Sequence, residues 1–303
     1  MNWTFEKVAG PFKGPTGGLA WDGKALYFSA VGEERVMRFD PKRNAVDEFR
    51  KWTFRVNGLA AGPNGEIYGG QEGGRRVLQF LPEGITTPAA MQLDGAFHNF
   101  PCDLTVDARG RVWFSDPYHA QPAVGPQMYP LLDHQSVLRL KEDHGWSLER
   151  VTFDTKAPRA LALSPDEKTL YVADGDLKSK VRDLRAYPVL DNGTVGTPRV
   201  LLTFGSDARG PHRGIEGLAV DADGNLVACA GSAQSGPGPM LMVIAPSGAV
   251  LESHPAPADM PMRVAFGDEG LASLYLTAAD GVLYRAKNVG RRGFARFAAR
   301  QEK

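Results

Sequence analysis

A short phrase recurs six times along the 303-residue chain. Each copy consists of an apolar strand, a turn rich in Gly, Asp, Asn or Pro, and a second strand with aromatic and aliphatic residues. The copies lie near residues 18–28, 58–68, 103–114, 160–171, 217–227 and 264–275. Their spacing of about 40 to 57 residues is typical of one β-propeller blade per repeat. The repeats therefore predict an all-β protein, a six-bladed β-propeller that forms one domain over residues 1–303.

Further strand-forming segments follow the repeats and complete the predicted blades. A third strand is expected in segments such as residues 34–40, and a more polar fourth strand in segments such as residues 46–52. Each blade would then hold four antiparallel strands. Because a propeller ring must be closed, residues 3–8 are expected to add the last strand to the blade that begins near Arg263. The basic tail, residues 291–303, is expected to be solvated.

Composition narrows the classes of partner. The chain has 35 basic and 35 acidic residues, whereas proteins that bind nucleic acid or anionic membranes favour a basic surface. No apolar run reaches the ~18 residues of a membrane span, and no secretory signal is visible at the start. Two cysteines are too few for a disulfide framework. We therefore expect a cytoplasmic protein, a monomer or small homo-oligomer, that acts on a small molecule and binds neither nucleic acid nor membrane.

The residues that open the inner strands are predicted to face one another, because equivalent positions of all blades approach one central axis. These six residues are Gly17, Asn57, Cys102, Arg159, Glu216 and Arg263. We expect them to ring the mouth of a central channel, with His98 and His212 on adjoining loops. Asp116 is expected to anchor a turn, and residues 72–76 are expected to form a solvated hairpin. An insertion at residues 117–130 would lie on the same face.

Several fragments carry a resemblance to a known family over nearly the whole chain. They are GGLAWDG at 17–23, NGL at 57–59, PCDL at 101–104, GRVWFSDP at 110–117, LSPDEKTLY at 163–171 and GLAVDADGN at 217–225. In these features the chain resembles the SMP-30/gluconolactonase/LRE-like six-bladed propellers. The resemblance implies the propeller fold and the hydrolysis of sugar lactones around one divalent metal ion.

The chain departs from that family at the metal-ligand positions. The family places a Glu in blade 1, an Asn in blade 4 and an Asp in blade 5, where this chain has Gly17, Arg159 and Glu216. The family's Pro-Asn-Asp in blade 3 becomes Pro-Cys-Asp at residues 101–103. A guanidinium has only donor groups and stays charged, so Arg159 cannot bind a cation. Glu216 is the metal ligand that the resemblance implies; both a divalent ion (Ca, Mg, Zn or Fe) and no metal at all remain open.

A mouth lined with arginines should attract an anion, which arginine can bind with two hydrogen bonds. In one mechanism Glu216 or Asp103 acts as general base on water and Arg159 stabilises the oxyanion. In a second, a metal held by Glu216 activates the water. In a third, Cys102 is a nucleophile activated by nearby arginines and by His98 or His212. The predicted substrate-binding residues are Asn57, Cys102, Arg263, His212 and His98.

Two functions remain open at this point. The first is a lactonase-like hydrolase that opens a small, polar, anionic sugar-acid-type lactone or ester at the channel mouth. The second is a non-catalytic propeller that binds an anionic metabolite or a protein partner after loss of the metal site.

Overall fold

Six four-stranded antiparallel sheets dominate the computed structural model, which describes residues 2–119, 130–175 and 182–297. The predicted six-bladed propeller, with four strands per blade, is confirmed. Most of the insertion at residues 117–130 lies outside the described residues. The helices within them are two short 3₁₀ turns, Val31–Glu33 and Glu269–Leu271. No helix in the described segments is long and apolar enough to span a bilayer.

The strands take four positions in each blade. The inner strands of blades 1 to 6 are Thr16–Trp21, Val56–Ala61, Asp103–Val106, Ala160–Leu163, Ile215–Val220 and Pro261–Gly267. The second strands are Leu26–Ala30, Ile67–Gln71, Val112–Asp116, Thr169–Asp174, Leu226–Ala230 and Ser273–Ala278. The third strands are Arg35–Asp40, Arg76–Phe80, Ser136–Glu142, Asp183–Pro188, Met240–Ile244 and Leu283–Ala286. The outer strands are Ala45–Lys51, Thr86–Pro88, Trp146–Arg150, Arg199–Thr203, Val250–Pro255 and Phe5–Ala9.

Two short hairpins stand outside the blades. Gln92–Leu93 pairs with Ala96–Phe97 before blade 3, and Ser206–Asp207 pairs with Gly210–Pro211 before blade 5. The second hairpin belongs to the loop that leads into the inner strand of blade 5.

The N-terminal strand closes the ring. Phe5–Ala9 pairs antiparallel with Leu283–Ala286 of blade 6, with Phe5 opposite Ala286. Nearby, the Trp3 indole donates a hydrogen bond of 3.0 Å to the Val289 carbonyl and stacks on His254 of blade 5 at 3.9 Å. The strand therefore joins the start of the chain to blade 6, as the sequence predicts.

The hydrophobic core lies between the blades. The second strands of blades 2, 3 and 5 are buried along their whole length because each blade is covered on both faces by its neighbours. Trp113 of blade 3, for example, is 1% exposed and shares a cluster with Leu161 and Tyr187 of blade 4. Aromatic and aliphatic residues of the repeated phrase thus supply the inter-blade contacts, which bury apolar surface and drive folding.

The inner strands approach one another so closely that three of them require glycine at the third residue, namely Gly18, Gly58 and Gly217. A Cβ on Gly58 would come within 2.5 Å of the Cys102 carbonyl oxygen in blade 3. A Cβ on Gly217 would come within 2.9 Å of the Arg263 Cα in blade 6. Both contacts are with backbone of the neighbouring inner strand, which cannot move without disturbing the ring. The Gly-Leu-Ala phrase is therefore a packing signature of the axis.

The segment after blade 6 crosses the ends of two other blades. Arg291 forms ion pairs with Asp221, at 2.8 Å, and with Glu252, both in blade 5. Further on, Arg296 pairs with Glu167 of blade 4. The prediction of a solvated tail is therefore wrong for Arg291 and Arg296, which carboxylates of blades 4 and 5 bind, whereas Arg292, Phe294 and Ala295 are exposed. Residues 298–303 lie outside the described residues.

Gly217→Ala should lower the free energy of unfolding by about 1–3 kcal/mol, the range for overpacking a well-packed site. Gly205→Ala is the matched control, since a Cβ on Gly205 meets no atom within 4 Å. Urea denaturation of both variants measures the difference. Equal stability of the two variants would show that the inner strands can separate without loss of contacts.

Candidate active site

Arg263 crosses the channel axis and links three blades at the mouth. It starts on blade 6, and its guanidinium donates to the carbonyl oxygen of Cys102 in blade 3 at 3.1 Å and to the carbonyl oxygen of Glu216 in blade 5. Its Nε lies 3.3 Å from the Asp103 carboxylate. The structure therefore brings together residues from blades 3, 5 and 6 that the repeat register placed on one axis.

Arg263 remains a cation although it is only 4% exposed. Burial by itself lowers the pKa of this guanidinium, but Asp103, Cys102 and Glu216 together raise it above its ordinary value. Removing one member of such a buried charged network leaves the others uncompensated and costs several kcal/mol. Arg263 is therefore a structural centre of the mouth as well as a source of positive potential.

Asp103 braces three blades. One carboxylate oxygen faces Arg263, and the other accepts a 3.1 Å hydrogen bond from the Leu161 backbone N–H in blade 4. Burial raises the pKa of this carboxyl despite the Arg263 charge. Because both oxygens are already engaged, the structure does not support the general-base role that sequence analysis offered for Asp103.

Glu216 is held as a carboxylate by the arginines around it. Its Oε1 lies 3.1 Å from the Arg213 Nε, and the residue is 5% exposed. Burial acts to raise the pKa of Glu216, but the combined positive charges lower it below its ordinary value. The arginines that lower it are Arg159, Arg213, Arg263 and Arg182. A carboxylate stabilised in this way is a weak proton acceptor, so Glu216 is better suited to orient arginines than to act as a base.

Cys102 does not have the character of a nucleophile. Burial raises the pKa of its thiol to about 11, so the thiolate is scarce at neutral pH. The Arg263 guanidinium lies 3.1 Å from the Sγ atom and covers it. The structure therefore favours a packing role for Cys102 beneath Arg263 over the nucleophile hypothesis. A substrate contact for Cys102 stays a prediction.

The two histidines predicted for the mouth have different environments. His98 is fully buried beside Phe114, with its Nε2 2.9 Å from the Ala90 carbonyl oxygen, and burial lowers its pKa to about 4. With no exposed surface it cannot touch a substrate, so its predicted role is wrong. His212 lies beside the short hairpin of the blade 5 loop, 3.4 Å from the Asp207 carboxylate. A substrate contact for His212 stays a prediction.

Glu72 is the residue of the mouth that sequence analysis missed. Its Oε1 accepts a 2.6 Å hydrogen bond from the Asn57 amide, and the residue is 5% exposed. Burial raises the pKa of Glu72 to about 7, despite the Asn57 bond and the charges of nearby arginines. The prediction of a solvated hairpin at residues 72–76 is wrong, because Glu72 and Arg75 are both buried. The sequence signal that could have identified Glu72 is the end of the second strand at Gln71, because the hairpin brings that strand end back to the mouth.

Other acids at the same strand ends turn away from the axis. Asp116 accepts hydrogen bonds of 2.8 Å from the backbone N–H groups of Asn99 and Phe100, as expected of a turn anchor. Asp174 accepts equivalent bonds from Lys156 and Ala157, at 2.9 and 2.8 Å. These two carboxylates fix the loops that enter the inner strands of blades 3 and 4, so they do not contribute to the mouth.

Positive charge predominates over the cluster of acids. Burial lowers the pKa of His119, which stacks on Phe100 at 4.5 Å, and the charges of Arg159 and Arg55 lower it further. Among the described residues, the arginines that act on Glu72, Asp103 or Glu216 are Arg55, Arg159, Arg182, Arg213 and Arg263. Arg55, Arg159 and Arg213 are partly exposed, so their guanidinium groups can face a ligand.

Comparison with known proteins decides the family. The sequence profile of the SMP-30/Gluconolactonase/LRE-like region matches residues 15–280. The chain belongs to this family. It is 28% identical to a gluconolactonase from Zymomonas mobilis over 241 residues, which are 77% of this chain and 64% of that protein. It is 31% identical to a 6-deoxy-6-sulfogluconolactonase from Pseudomonas putida over 185 residues, which are 61% of this chain and 56% of that protein. Each match thus spans less than two thirds of the relative's length.

A solved member of the family has the same architecture. The structure of a gluconolactonase from Xanthomonas campestris superposes with a TM-score of 0.77 and 27% identity, over 94% of this chain and 89% of that one.

The mouth does not fit the divalent metal that the family implies. Asn57 Oδ1 is a buried oxygen without a hydrogen-bond partner, an atom that a cation could engage. However, Asn57 Oδ1 itself fills the space that a Cβ on Gly17 would need, so no blade 1 carboxylate faces it. No three His, Cys, Asp or Glu side chains converge in the described part of the chain. Hard cations need several oxygen ligands, and the guanidinium groups around Glu72 and Glu216 would repel them.

The stability of the protein should depend on the charge of Glu72. Because its pKa is raised to about 7, the folded protein retains a proton that the unfolded chain has lost above its ordinary value of 4.5. As pH rises from about 5 to about 8, the free energy of unfolding of the wild type should therefore fall by roughly 2–3 kcal/mol relative to Glu72→Gln. Urea denaturation at both pH values tests this, and parallel pH dependence of the two proteins would contradict it. The pKa of Glu216 is lowered, so its stabilising contribution is lost as pH falls. The free energy of unfolding of the wild type should therefore fall with decreasing pH relative to Glu216→Gln.

Proposed function

We propose that this protein is a hydrolase that opens the ring of a small sugar lactone bearing an anionic substituent, at the mouth of the central channel. The observation that carries the proposal is the group of arginines at the axis, which includes Arg159 at the position of a family metal ligand. Preorganised cations that face a substrate stabilise negative charge on the substrate and on the transition state. The gluconolactonase relatives support the reaction class.

The partly exposed arginines favour an anionic substrate. Arg55, Arg159 and Arg213 lie around a mouth whose carboxylates are fewer than its guanidinium groups. A carboxylate or sulfonate on the sugar can take two parallel hydrogen bonds from one guanidinium. The name of the relative from Pseudomonas putida refers to a sulfo group on the sugar, and it supports an anionic substituent here as well.

Lactone hydrolysis needs three contributions from the mouth. The oxygen of a water molecule bonds to the carbonyl carbon, and the carbonyl oxygen gains negative charge, which Arg159 stabilises. The bond between that carbon and the ring oxygen then breaks, and the ring oxygen takes up a proton, so that the product is a hydroxy acid. Glu216 keeps Arg213 and Arg159 oriented toward the mouth through its charge. A third group must carry the proton from the water to the ring oxygen.

Arg159→Met should lower kcat/KM for an anionic lactone by roughly 10- to 100-fold, since a charge-assisted hydrogen bond contributes about 1.5–3 kcal/mol. Glucarolactone and sulfogluconolactone are the charged substrates, and gluconolactone is the neutral comparison. The wild type should prefer the charged lactones, and the variant should be slower on charged and neutral lactones alike, because Arg159 stabilises the oxyanion that both kinds form. Arg109→Met, which removes the same charge from an exposed turn of blade 3, is the control.

Two experimental results would contradict this function. Unchanged kcat/KM for charged and neutral lactones in Arg159→Met would remove Arg159 from stabilisation of the oxyanion, and a wild type with no preference for charged lactones would contradict the anionic substituent. Failure of the wild type to open any of the lactones, together with a rise in its melting temperature on adding glucarate, would support the non-catalytic binding function instead.

Removal of divalent metals should leave lactone hydrolysis unchanged, because guanidinium groups occupy the environment in which a cation would have to bind. The test is a pH-stat assay of protein dialysed against a chelator, with elemental analysis of the same sample. Activity that disappears on dialysis and returns with one equivalent of a divalent ion would contradict a cation-free mechanism. Glu216→Gln would then show whether Glu216 is the ligand implied by the family.

A further inference from the structure

We propose that Glu72 is the general base that activates water in this reaction and that Asn57 positions it; the inference rests on the proposed lactone hydrolysis. Glu72 follows the second strand of blade 2 and lies next to the residue that opens the inner strand of the same blade. No role at these positions is implied by the family's metal-binding pattern.

The three carboxylates of the mouth differ in their partners, and only one partner set suits a base. Asp103 is bound by Arg263 and by a backbone N–H of blade 4. Glu216 is bound by Arg213 at 3.1 Å. Glu72 has a neutral partner, the Asn57 amide at 2.6 Å, on Oε1. An amide lowers the proton affinity of a carboxylate less than a guanidinium does. Among the three carboxylates, Glu72 therefore has the greatest capacity to accept a proton.

The charged groups that face Glu72 are consistent with this role. They are Arg55 of its own blade, Arg159 of blade 4 and Arg263 of blade 6. The Cys102 thiol of blade 3, which also interacts with Glu72, is neutral. Burial outweighs these arginines and brings the pKa of Glu72 to about 7, where a group can both accept and return a proton under neutral conditions.

Burial also raises the pKa of Asp116 to about 7, but Asp116 differs from Glu72 in its exposure and in its partners. Asp116 has no exposed surface, and its two oxygens accept backbone N–H groups at 2.8 Å. Glu72 retains 5% exposure and shares the mouth with the partly exposed Arg159. A proton acceptor and an oxyanion donor therefore act on the same space.

Glu72 alone can carry the proton through both steps of the reaction. As the water oxygen bonds to the carbonyl carbon, Glu72 takes one proton from the water and the carbonyl electron pair moves to the oxygen beside Arg159. When the tetrahedral intermediate collapses, that pair re-forms the carbonyl and the bond to the ring oxygen breaks. Glu72 then gives its proton to the ring oxygen, which becomes the hydroxyl of the product, and the carboxylate is restored.

Asn57 fixes the orientation of Glu72, and Gly17 makes this possible. The Asn57 Nδ2 donates to Glu72, while its Oδ1 lies where a side chain on residue 17 would start. The absence of a side chain at Gly17 therefore gives the amide the room it needs to hold the base. Asn57→Ala should leave a base of altered pKa and position, and thus lower kcat more than it raises KM.

The decisive experiment compares Glu72→Gln with the wild type on glucarolactone. Loss of the base should lower kcat by roughly 10²- to 10⁴-fold with little change in KM, the usual effect of removing a general base. Glu66→Gln is the matched control, because Glu66 is an equally buried glutamate of blade 2 whose carboxylate binds Asn64 and Tyr68. Near-wild-type kcat in Glu72→Gln would overturn the assignment. A folded but slow Glu72→Ala variant should regain turnover on adding formate, which a merely structural role would not produce.

The pH profile gives a second, independent readout. In the wild type, kcat/KM should rise with pH through one ionisation near 7, the value for Glu72. This step should be missing in Glu72→Gln and present, at lower overall activity, in Glu216→Gln. A wild type that opens lactones without this step, or a step that survives in Glu72→Gln, overturns the role of Glu72 and leaves the proposed function intact. A wild type that opens none of the lactones overturns the proposed function, and the assignment of the base with it.

Discussion

The mutual contact of six inner strands around one axis is the constraint on which the rest of the molecule depends. At Gly58 and Gly217 the backbones of adjacent strands approach so closely that a side chain has no room. Side chains at this end of the inner strands, and at the ends of the second strands beside them, can therefore extend only toward the axis or toward the entering loops. Arg263 extends toward the axis and reaches blade 3, whereas Asp116, at the end of the second strand of blade 3, extends toward a loop and holds it. The chemistry of the mouth follows from this choice at each strand.

Burial makes the choice of partner decisive for each acid. In water an arginine or an amide would stabilise a carboxylate to a similar small extent, but in a buried mouth the difference shifts the proton equilibrium strongly. Asp103 becomes a brace, Glu216 a counter-ion, and Glu72 a group with a pKa near neutrality. Three carboxylates of one mouth, from blades 2, 3 and 5, thus acquire three different properties from their neighbours.

The repeated phrase was sufficient to predict the blades, the ring closure and the set of residues that open the inner strands, because these depend on strand periodicity and blade spacing. The direction of individual side chains could not be predicted in the same way. Glu72 follows a strand end and precedes two glycines, a context typical of a solvated turn, yet its side chain folds inward to meet Asn57. His98 adjoins the mouth in sequence but is buried against Phe114. Both outcomes depend on contacts between segments whose turn conformations are not encoded in a local pattern.

The contact between Gly17 and Asn57 also bears on how this protein could diverge further. A glutamate introduced at position 17, as the family has it, would displace the Asn57 side chain and so release Glu72. The same change would add a fourth carboxylate to a mouth that already holds Glu72, Asp103 and Glu216. Introducing the family's metal-binding residues would therefore require positions 17, 57 and 159 to change together.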